Sequence, residues 1–489
     1  MDSIVPIVAH PRQIRELSKQ GNLETYNAQR KLIEPLLYCA EHGIKCDVNA
    51  MASFRLTEQS RLDSLTQEWN TLTGGVNAQS PKQLLELFYT KLALPPYVNR
   101  KTGKQSTDTD AMKRIVRKAS KGAREAQLVL DIRGAQKRIS TYLSLPKIDS
   151  DNYYRSSFKP VGTETGRISS GETIYGTGGN MQNIPHDLLR FWIADEGYVI
   201  YAMDLSQAEN RIVAYVGNVI SQIEAFEKGV DMHAVTAGHI FQKEPSEISK
   251  KEGSSSLGSG RQSERDWGKR GNHALSYDVS YKTFALKYEI TESEAKQILT
   301  RLHKAYPEIR NGFQAHIKAE LFKSRTVTNL FGRHRLFLTP VVNDRINTSS
   351  SVGNTFREAY AQLPQSTVAD KVNRQGITTI WNSPKFSSMD FLVQIHDSLV
   401  FQAPLSLGWT AHAEAILELK TALETPYSWK GITFASPADL AIGKNMCKED
   451  MIEIKSRYIP DTVEELSTLL ESKHSELVQN LNVHGKEER

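Results

Sequence analysis

The sequence is poor in cysteine and contains no long apolar run. Its 489 residues include three cysteines, Cys39, Cys46 and Cys447, which are too few for a disulfide framework. No Cys/His group has the spacing of a zinc site. The sequence also contains no run of 18 apolar residues, which is the length that a membrane-spanning helix requires. The first twenty residues carry Asp2 and Glu16 and lack the apolar core of an export signal. We therefore expect a cytoplasmic protein without a membrane partner.

The overall composition is that of a globular protein, but its positive charge is concentrated in one segment. Hydrophobic residues make up 39% and charged residues 24%, and the length suggests two to four subdomains. Residues 100–138 hold twelve Lys and Arg against four Asp and Glu, a net charge of +8, whereas the whole chain carries +5. Such a strip is either a solvated helix face or a surface that contacts nucleic-acid phosphates.

Two aspartates far apart in the chain each follow a short apolar segment that reads as a strand. Asp204 ends the run 198–203, and Asp397 lies between two alternating runs that predict a hairpin. Carboxylates at strand ends can hold two divalent cations roughly 3.5–4 Å apart, as in-line phosphoryl displacement requires. Between them, side chains that recur every fourth residue predict one helix face able to bind polyphosphate: Arg265, Lys269, His273 and Tyr277. These parts indicate a nucleotidyl transferase.

The remaining pattern is helical at both ends with extended structure between. Residues 1–150 read as mostly helical, 250–263 as a Ser/Gly-rich loop, and 326–337 as extended. A helix capped near Asp461 and Glu464 is predicted at the C-terminal end, where it either packs on the rest of the chain or docks a partner. Its apolar face would comprise Val463, Leu466, Leu470 and Leu477.

These blocks, in their order, resemble the motifs of family A DNA polymerases. Three of them are Asp204-Leu-Ser-Gln-Ala-Glu209, the helix from Arg265 to Tyr277, and His396-Asp397-Ser398. Further resemblances are Thr165-Gly-Arg167, Asn180-Met-Gln182-Asn183, Asp231-Met-His233 and Gly332-Arg333-His-Arg335. The likeness covers roughly residues 25 to 450. It implies an α+β, right-hand polymerase fold with an antiparallel palm sheet and helical fingers and thumb.

The resemblance also implies a domain order. We expect an N-terminal extension at 1–25, a basic helical thumb at 26–150, palm segments at 151–240 and 326–450, fingers at 241–325, and a helical extension at 451–489. The basic strip then falls in the thumb, which favours its contact with DNA phosphates.

The resemblance assigns roles to individual residues. Asp204, Asp397 and the carbonyl of Leu205 would hold two Mg²⁺ ions, and Lys269 would act with both aspartates in catalysis. Binding of the incoming dNTP would involve Arg265, Lys269, His273, Tyr277, His233, Gln207 and Glu209, with Glu209 excluding a ribose hydroxyl. Contacts with primer-template DNA would involve Arg167, Gln182, Asn183, Arg357, Gln365 and His396.

Several positions depart from the family pattern. His273 stands where Phe or Tyr is usual, Ser398 replaces a third acid, and Asp278 replaces a glycine. Ala361 lies where Asn is frequent. The third acid is not a principal metal ligand in the family, so its replacement leaves the expected metal site intact.

The function implied is a DNA-directed DNA polymerase without intrinsic 3′–5′ proofreading. Only about 25 residues precede the expected thumb, and they contain no Asp-x-Glu exonuclease motif. The expected partners are primer-template DNA and dNTPs, in a bacterium or a phage-infected cell, and the sequence leaves open whether a separate exonuclease or replication protein accompanies the chain. The alternatives are a single-subunit RNA polymerase, a metal-dependent nuclease, and a non-catalytic DNA-binding replication subunit.

Overall fold

The computed structural model of the protein describes residues 4–99, 102–118, 121–258, 260, 262–338 and 351–487. Parts of the basic strip 100–138 and of the loop 250–263 lie outside these ranges. Residues 1–3 of the expected N-terminal extension and residues 488–489 of the expected C-terminal extension also lie outside them. The chain forms two compact units. The first comprises Met1–Val48, Pro146–Ile220 and Arg310–Arg489, and the second comprises Asn49–Leu145 and Ser221–Ile309.

The helices confirm the helical prediction for the first 150 residues and continue through most of the chain. None of those in the described ranges is long and apolar enough to cross a membrane. In chain order they are α1 (Ile4–Lys19), α2 (Leu23–Arg30), α3 (Ile33–His42), α4 (Val48–Thr73), α5 (Pro81–Leu85), α6 (Thr109–Lys118), α7 (Ala123–Lys137), α8 (Ala208–Gly217), α9 (Ile220–Glu227), α10 (Met232–Phe241), α11 (Glu264–Ser276), α12 (Tyr281–Tyr288), α13 (Glu292–Ala305), α14 (Ala315–Ser324), α15 (Ser351–Lys371), α16 (Thr378–Asn382), α17 (Gly408–Leu423) and α18 (Val463–Glu487).

The strands of the described residues all belong to the first unit and pair antiparallel throughout. They are β1 (Ile44–Lys45), β2 (Tyr153–Tyr154), β3 (Ser157–Lys159), β4 (Ser169–Gly171), β5 (Tyr198–Leu205), β6 (Thr326–Thr328), β7 (His334–Leu336), β8 (Asp390–Ile395), β9 (Ser398–Pro404), β10 (Tyr427–Trp429), β11 (Ile432–Phe434), β12 (Ala438–Gly443) and β13 (Ile452–Ile454). The principal sheet has five strands in the order β13-β12-β5-β9-β8.

The centre of this sheet is buried on both faces. In β5, Val199, Ile200, Tyr201 and Met203 are fully shielded from solvent, which explains why the run is apolar without alternation. β-branched and aromatic side chains of this kind favour the extended backbone. The position of β5 between β9 and β12 brings the end of the strand next to the β8–β9 hairpin. The predicted hairpin is therefore confirmed.

The second unit has a separate apolar core among its N-terminal helices. Trp69 of α4, Leu84 of α5 and Met112 of α6 are almost completely buried, together with Leu128 and Val129 of α7. The indole of Trp69 also donates a hydrogen bond to the carbonyl of Val76. The exposed basic residues Lys118 of α6 and Arg124 and Lys137 of α7 therefore lie on helices whose apolar sides form this core.

The C-terminal helix packs on the first unit. Leu466, Leu470 and Leu477 of α18 are buried, and α18 lies against α17. The hydroxyl of Thr462 accepts a hydrogen bond from the backbone N–H of Glu465, at 3.4 Å, and donates to the Glu465 carboxylate. The capping residue is therefore Thr462 and not Asp461, because the helix begins one residue later than the sequence pattern suggested.

Replacing Leu470 with Ala should lower the free energy of unfolding by about 2–5 kcal/mol, because a fully buried leucine leaves a cavity that its neighbours fill only partly. Val478→Ala in the same helix is the matched control, since Val478 is 37% exposed. Urea unfolding of both variants measures the difference. Equal stability of the two variants would mean that α18 does not pack through its leucine face.

Candidate active site

Strand pairing in the first unit brings the two predicted metal ligands together. Asp204 is the penultimate residue of β5, and its partner in the register of β9 is Ser398, which directly follows Asp397. The backbone N–H of Leu205 donates to the carbonyl of Asp397 at 3.3 Å. The sheet thus joins two positions that are almost two hundred residues apart in the chain.

A tight turn presents Asp397. Ile395 and Ser398 are register partners, so His396 and Asp397 alone form the connection between β8 and β9. His396 adopts a left-handed backbone with φ of 57°, which a two-residue hairpin favours but a non-glycine side chain resists. The side-chain amide of Gln394 donates to the carbonyl of His396 and supports the turn.

The electrostatics of the aspartate pair favour a cation. Burial, and then the neighbouring Asp204 carboxylate, raise the pKa of Asp397 to about 7, with Glu209 adding to the effect and Lys448 opposing it. The buried Oδ1 of Asp204 has no hydrogen-bond partner among the described residues. Hard carboxylate oxygens that lack donors are the ligand type that Mg²⁺ prefers. The residues present therefore fit a divalent cation.

Further unpaired oxygens lie on the same segments. Among the described residues, the Oε1 atoms of Gln207 and Gln394 and the Oγ of Ser398 are buried without a hydrogen-bond partner. Buried polar atoms normally find partners, so such a group marks a place where a ligand or ion is expected. A cavity of about 70 Å³ lies beside the aspartates and is lined by His186, Leu189, Ala202, Asp204, Ile395, His396, Asp397, Ser398, Val400, Met446, Lys448 and Met451.

Lys448 is the component of this site that the sequence did not reveal. Its Nζ lies 3.0 Å from Oδ2 of Asp204, although the two residues are 244 positions apart. Neither a motif nor a periodic pattern marks Lys448, so no signal in the sequence could have identified it. His186 of the cavity lining was missed for the same reason.

The turn after β5 arranges the next group of expected ligands. Leu205 ends the strand and is buried, and Gln207 adopts a left-handed backbone with φ of 53° before α8 begins. Glu209 lies in the first turn of α8, where its carboxylate accepts a hydrogen bond from Nη2 of Arg167. The expected sugar-excluding acid is therefore already held by an ion pair.

A buried ion pair holds the backbone that precedes Arg167. The Arg333 guanidinium donates twice to the Asp370 carboxylate, at 2.9 and 2.7 Å, and both side chains are nearly inaccessible. A Cβ built on Gly166 would lie 2.6 Å from the Arg333 guanidinium carbon, so only glycine permits this approach. The Asn373 amide also donates to the Gly166 carbonyl at 3.0 Å.

The other residues expected to contact DNA are distributed around the same unit. Gln182 donates to the carbonyls of Ile168, at 2.8 Å, and of Gln394, at 3.4 Å, whereas Asn183 is exposed. His396 is exposed at the hairpin turn. Helix α15 carries the two remaining residues, which are both partly exposed: Arg357 and Gln365.

The second unit contains the expected phosphate-binding helix. The hydroxyl of Ser263 accepts from the N–H of Asp266, and the Asp266 carboxylate accepts from the N–H of Ser263, so a capping box starts α11. Helix α10 runs close beside it, since a Cβ on Gly268 would lie 1.9 Å from the carbonyl oxygen of His233. This approach places the start of α10 beside the cationic part of α11.

The two cations of α11 have different surroundings. Arg265 donates from Nε and Nη2 to Asp231, at 2.5 and 3.2 Å, and is therefore held in a bidentate ion pair. Lys269 is exposed. The Asp231 carboxylate also caps α10 by accepting from the N–H of His233. One acid thus fixes both Arg265 and the helix that carries His233.

His233 is a neutral imidazole in this environment. Burial, and then the Arg265 guanidinium, lower its pKa to about 4. Oδ1 of Asn272 accepts from the Thr236 hydroxyl at 2.8 Å, so the Asn272 amide nitrogen faces Nδ1 of His233 at 3.2 Å. Nδ1 is then the acceptor and Nε2 carries the proton. His233 can therefore donate one hydrogen bond from Nε2.

The last two members of the predicted stripe lie at the end of the helix. Helix α11 ends at Ser276, and Tyr277 is its C-cap residue, whose N–H still donates to the His273 carbonyl at 3.3 Å. Tyr277 is buried, whereas His273 is exposed. Their rings make an edge contact with centroids 4.7 Å apart. Asp278 follows with a left-handed backbone, φ of 48°, and turns the chain out of the helix.

A separate cluster of possible metal ligands is a hydrogen-bonded network. The nitrogen and carboxylate atoms of His42, Asp195 and Asp390 come within 4.8 Å of one another. Donors already face the two carboxylates, from Gln402 to both and from Tyr38 to Asp390. The sequence pattern gave no indication of this cluster, and its hydrogen bonds explain it without an ion.

Comparisons with known proteins agree with these features. The family model for DNA polymerase family A matches residues 48–428. DNA polymerase I of Helicobacter pylori (strain ATCC 700392 / 26695) is 29% identical over 370 residues, which are 74% of this chain and 38% of that protein. A thermostable DNA polymerase I of Thermus filiformis is 27% identical over 416 residues, 81% of this chain and 46% of that protein.

The fold also has a solved counterpart. The POL domain of Pol1 from M. smegmatis, in complex with DNA primer-template and dNTP, superposes with a TM-score of 0.72 at 21% identity. The match covers 89% of this chain and 73% of that one. The α+β fold is therefore that of a polymerase domain, as expected. The chain belongs to DNA polymerase family A, and it spans less than half the length of the two curated relatives described.

Replacing Asp397 with Asn should stabilise the protein in metal-free buffer at pH 8, because it removes a charge that burial and Asp204 disfavour. Between pH 4 and about 7 the folded wild type binds more protons at this site than the unfolded chain, so this group makes stability fall as pH rises. The Asp397→Asn variant should lose this contribution to the pH dependence of the free energy of unfolding.

Urea unfolding in EDTA at pH 4 and pH 8 measures the effect, with the exposed Asp461→Asn as the control. The advantage of Asp397→Asn should be greater at pH 8 than at pH 4. An Asn variant that is less stable than wild type at pH 8 would contradict the repulsion between the aspartates.

Proposed function

We propose that this chain is a DNA-directed DNA polymerase, which adds dNMP units to a primer 3′ end and releases pyrophosphate. The observation that carries the proposal is the pair Asp204 and Asp397 on adjoining strand ends, in a chain that belongs to family A. The counterpart polymerase domain with primer-template DNA and dNTP supports the same substrates for this chain.

In the proposed mechanism, Asp204, Asp397 and the Leu205 carbonyl would hold two Mg²⁺ ions. Bound there, the ions would lower the pKa of the primer 3′-hydroxyl and neutralise charge on the leaving group. The protein's own part is to keep two carboxylates at fixed positions with few competing donors. Strand pairing fixes the backbone of both residues before the reaction, and such preorganisation favours electrostatic stabilisation.

The triphosphate is proposed to bind along α10 and α11. Lys269 offers an exposed ammonium for the phosphates, and Arg265 offers the part of its guanidinium that Asp231 does not occupy. Neutral His233 would donate from Nε2, which adds a hydrogen bond without adding charge. Gln207, Glu209, His273 and Tyr277 are proposed to contact the sugar and base.

The remaining assignments follow the same proposal. Arg167, Gln182, Asn183, Arg357, Gln365 and His396 are proposed to contact primer and template. The thumb is proposed at 26–150, the palm at 151–240 and 326–450, and the fingers at 241–325. A helical C-terminal extension at 451–489 then belongs structurally with the palm, because α18 packs on α17. Absence of 3′–5′ proofreading, a separate exonuclease partner and a cytoplasmic location stay predictions.

Primer extension with dNTPs and Mg²⁺ tests the proposal. Asp204→Asn and Asp397→Asn should each reduce extension at least a thousandfold, because each removes a charge that holds the cations, while duplex binding persists through phosphate contacts. Asp461→Asn is the control and should extend normally. Extension within tenfold of wild type by either active-site variant would reject the site, and loss of duplex binding would assign the aspartates to folding.

The same assay separates the alternatives. An RNA polymerase would prefer rNTPs, a nuclease would shorten the primer when dNTPs are absent, and a non-catalytic subunit would bind DNA without extending it. Shortening of a mismatched primer by purified wild-type protein would contradict the expected absence of proofreading.

Replacing Glu209 with Ala should raise rNTP use relative to dNTP use by on the order of tenfold to a hundredfold, since an unmatched buried hydroxyl costs about 1–3 kcal/mol. The Arg167 ion pair holds the Glu209 carboxylate in place and makes the proposed wall rigid. Glu224→Ala, which removes an exposed carboxylate paired with Lys228, is the matched control. An unchanged dNTP/rNTP ratio in Glu209→Ala would reopen the RNA polymerase alternative.

A further inference from the structure

Lys448 lies where a cation is needed and belongs to a firmly held segment. It begins a short 3₁₀ turn, Lys448–Asp450, between β12 and β13. The preceding backbone is fixed by hydrogen bonds from Met446 N–H to the Trp192 carbonyl, at 3.0 Å, and from Cys447 N–H to Asn445 Oδ1, at 2.9 Å. These hydrogen bonds therefore set the position of the backbone that leads into Lys448.

The side chain of Lys448 reaches the aspartates from that position. Its Nζ donates to Oδ2 of Asp204 at 3.0 Å, and it also lines the cavity beside Asp397. The ammonium side chain is 54% exposed, so it can leave the site without opening the core. One monovalent charge thus partly balances two carboxylates.

The contact conflicts with occupancy of the site by a divalent cation. Oδ1 of Asp204 is buried and unpaired among the described residues, whereas Oδ2 is the oxygen that Lys448 uses. An ammonium within hydrogen-bonding distance of a metal-binding carboxylate repels a divalent ion, and it also occupies a lone pair of that carboxylate. The wild-type arrangement therefore weakens the affinity for the first cation.

We propose that Lys448 is a displaceable counterion of Asp204, which neutralises the aspartates before a divalent cation binds and leaves when one does. This positioning role rests on the proposed metal site. Protein without nucleotide would therefore bind divalent cations weakly. The phosphates of an incoming nucleotide bring negative charge, which would attract the Lys448 ammonium away from Asp204 and free the metal site.

Lys448→Met tests the proposal by keeping the length of the side chain and removing its charge. Mn²⁺ binding to DNA-free and nucleotide-free protein, measured by electron paramagnetic resonance, should tighten on the order of tenfold. Mn²⁺ should also raise the melting temperature of this variant more than that of wild type, because ligand binding to the folded state stabilises it. Lys448→Arg retains the charge and should return both values toward wild type.

Matched controls separate the possible outcomes. Lys385→Met removes a comparable exposed lysine paired with Glu418 at 3.5 Å and should leave Mn²⁺ affinity unchanged. Asp204→Asn should lose Mn²⁺ binding, and its failure to do so would reject the metal site itself. If Asp204→Asn behaves as expected but Lys448→Met binds Mn²⁺ with wild-type or weaker affinity, the counterion role is overturned. Mn²⁺ binding too weak to detect in Lys448→Met also overturns it.

Discussion

The pairing of β5 with β9 forces two carboxylates together at adjoining strand ends, and the rest of the site is arranged around that repulsion. Asp204 and Asp397 cannot move apart without breaking a ladder whose central residues are fully buried. Burial and the neighbouring Asp204 carboxylate therefore raise the pKa of Asp397, and Lys448 balances this negative charge only in part. Cations relieve this strain, so the stability of the sheet and the proposed chemistry depend on the same electrostatic constraint.

The second unit concentrates positive charge on α11, and close packing of α10 against α11 brings an acid next to it. Gly268 lets α11 approach the backbone of α10, so that Asp231 can both cap α10 and hold Arg265. Burial between these charges keeps His233 neutral, and Asn272 sets which nitrogen carries its proton. A donor without charge and an exposed lysine are thereby presented together, which suits a polyanion because only part of the positive charge has to be desolvated.

Motif-bearing segments were predictable because their signals are local. The apolar run of β5, the alternation around His396, and the four-residue spacing from Arg265 to His273 each reflect the backbone geometry of one element. Element ends were less predictable: Thr462 caps α18 in place of Asp461. The end of a helix depends on a few competing hydrogen bonds of similar strength, so spacing alone does not locate it.

The sequence by itself determined the family, the fold class and the identity of the two aspartates, because residues that share a motif are neighbours along the chain. Only the tertiary structure revealed that Lys448 contacts Asp204, that Glu209 is paired with Arg167, and that His233 is neutral. These properties arise from contacts between residues tens to hundreds of positions apart. Coulomb energies and desolvation depend on distance and burial in space, and neither quantity is written in local residue spacing.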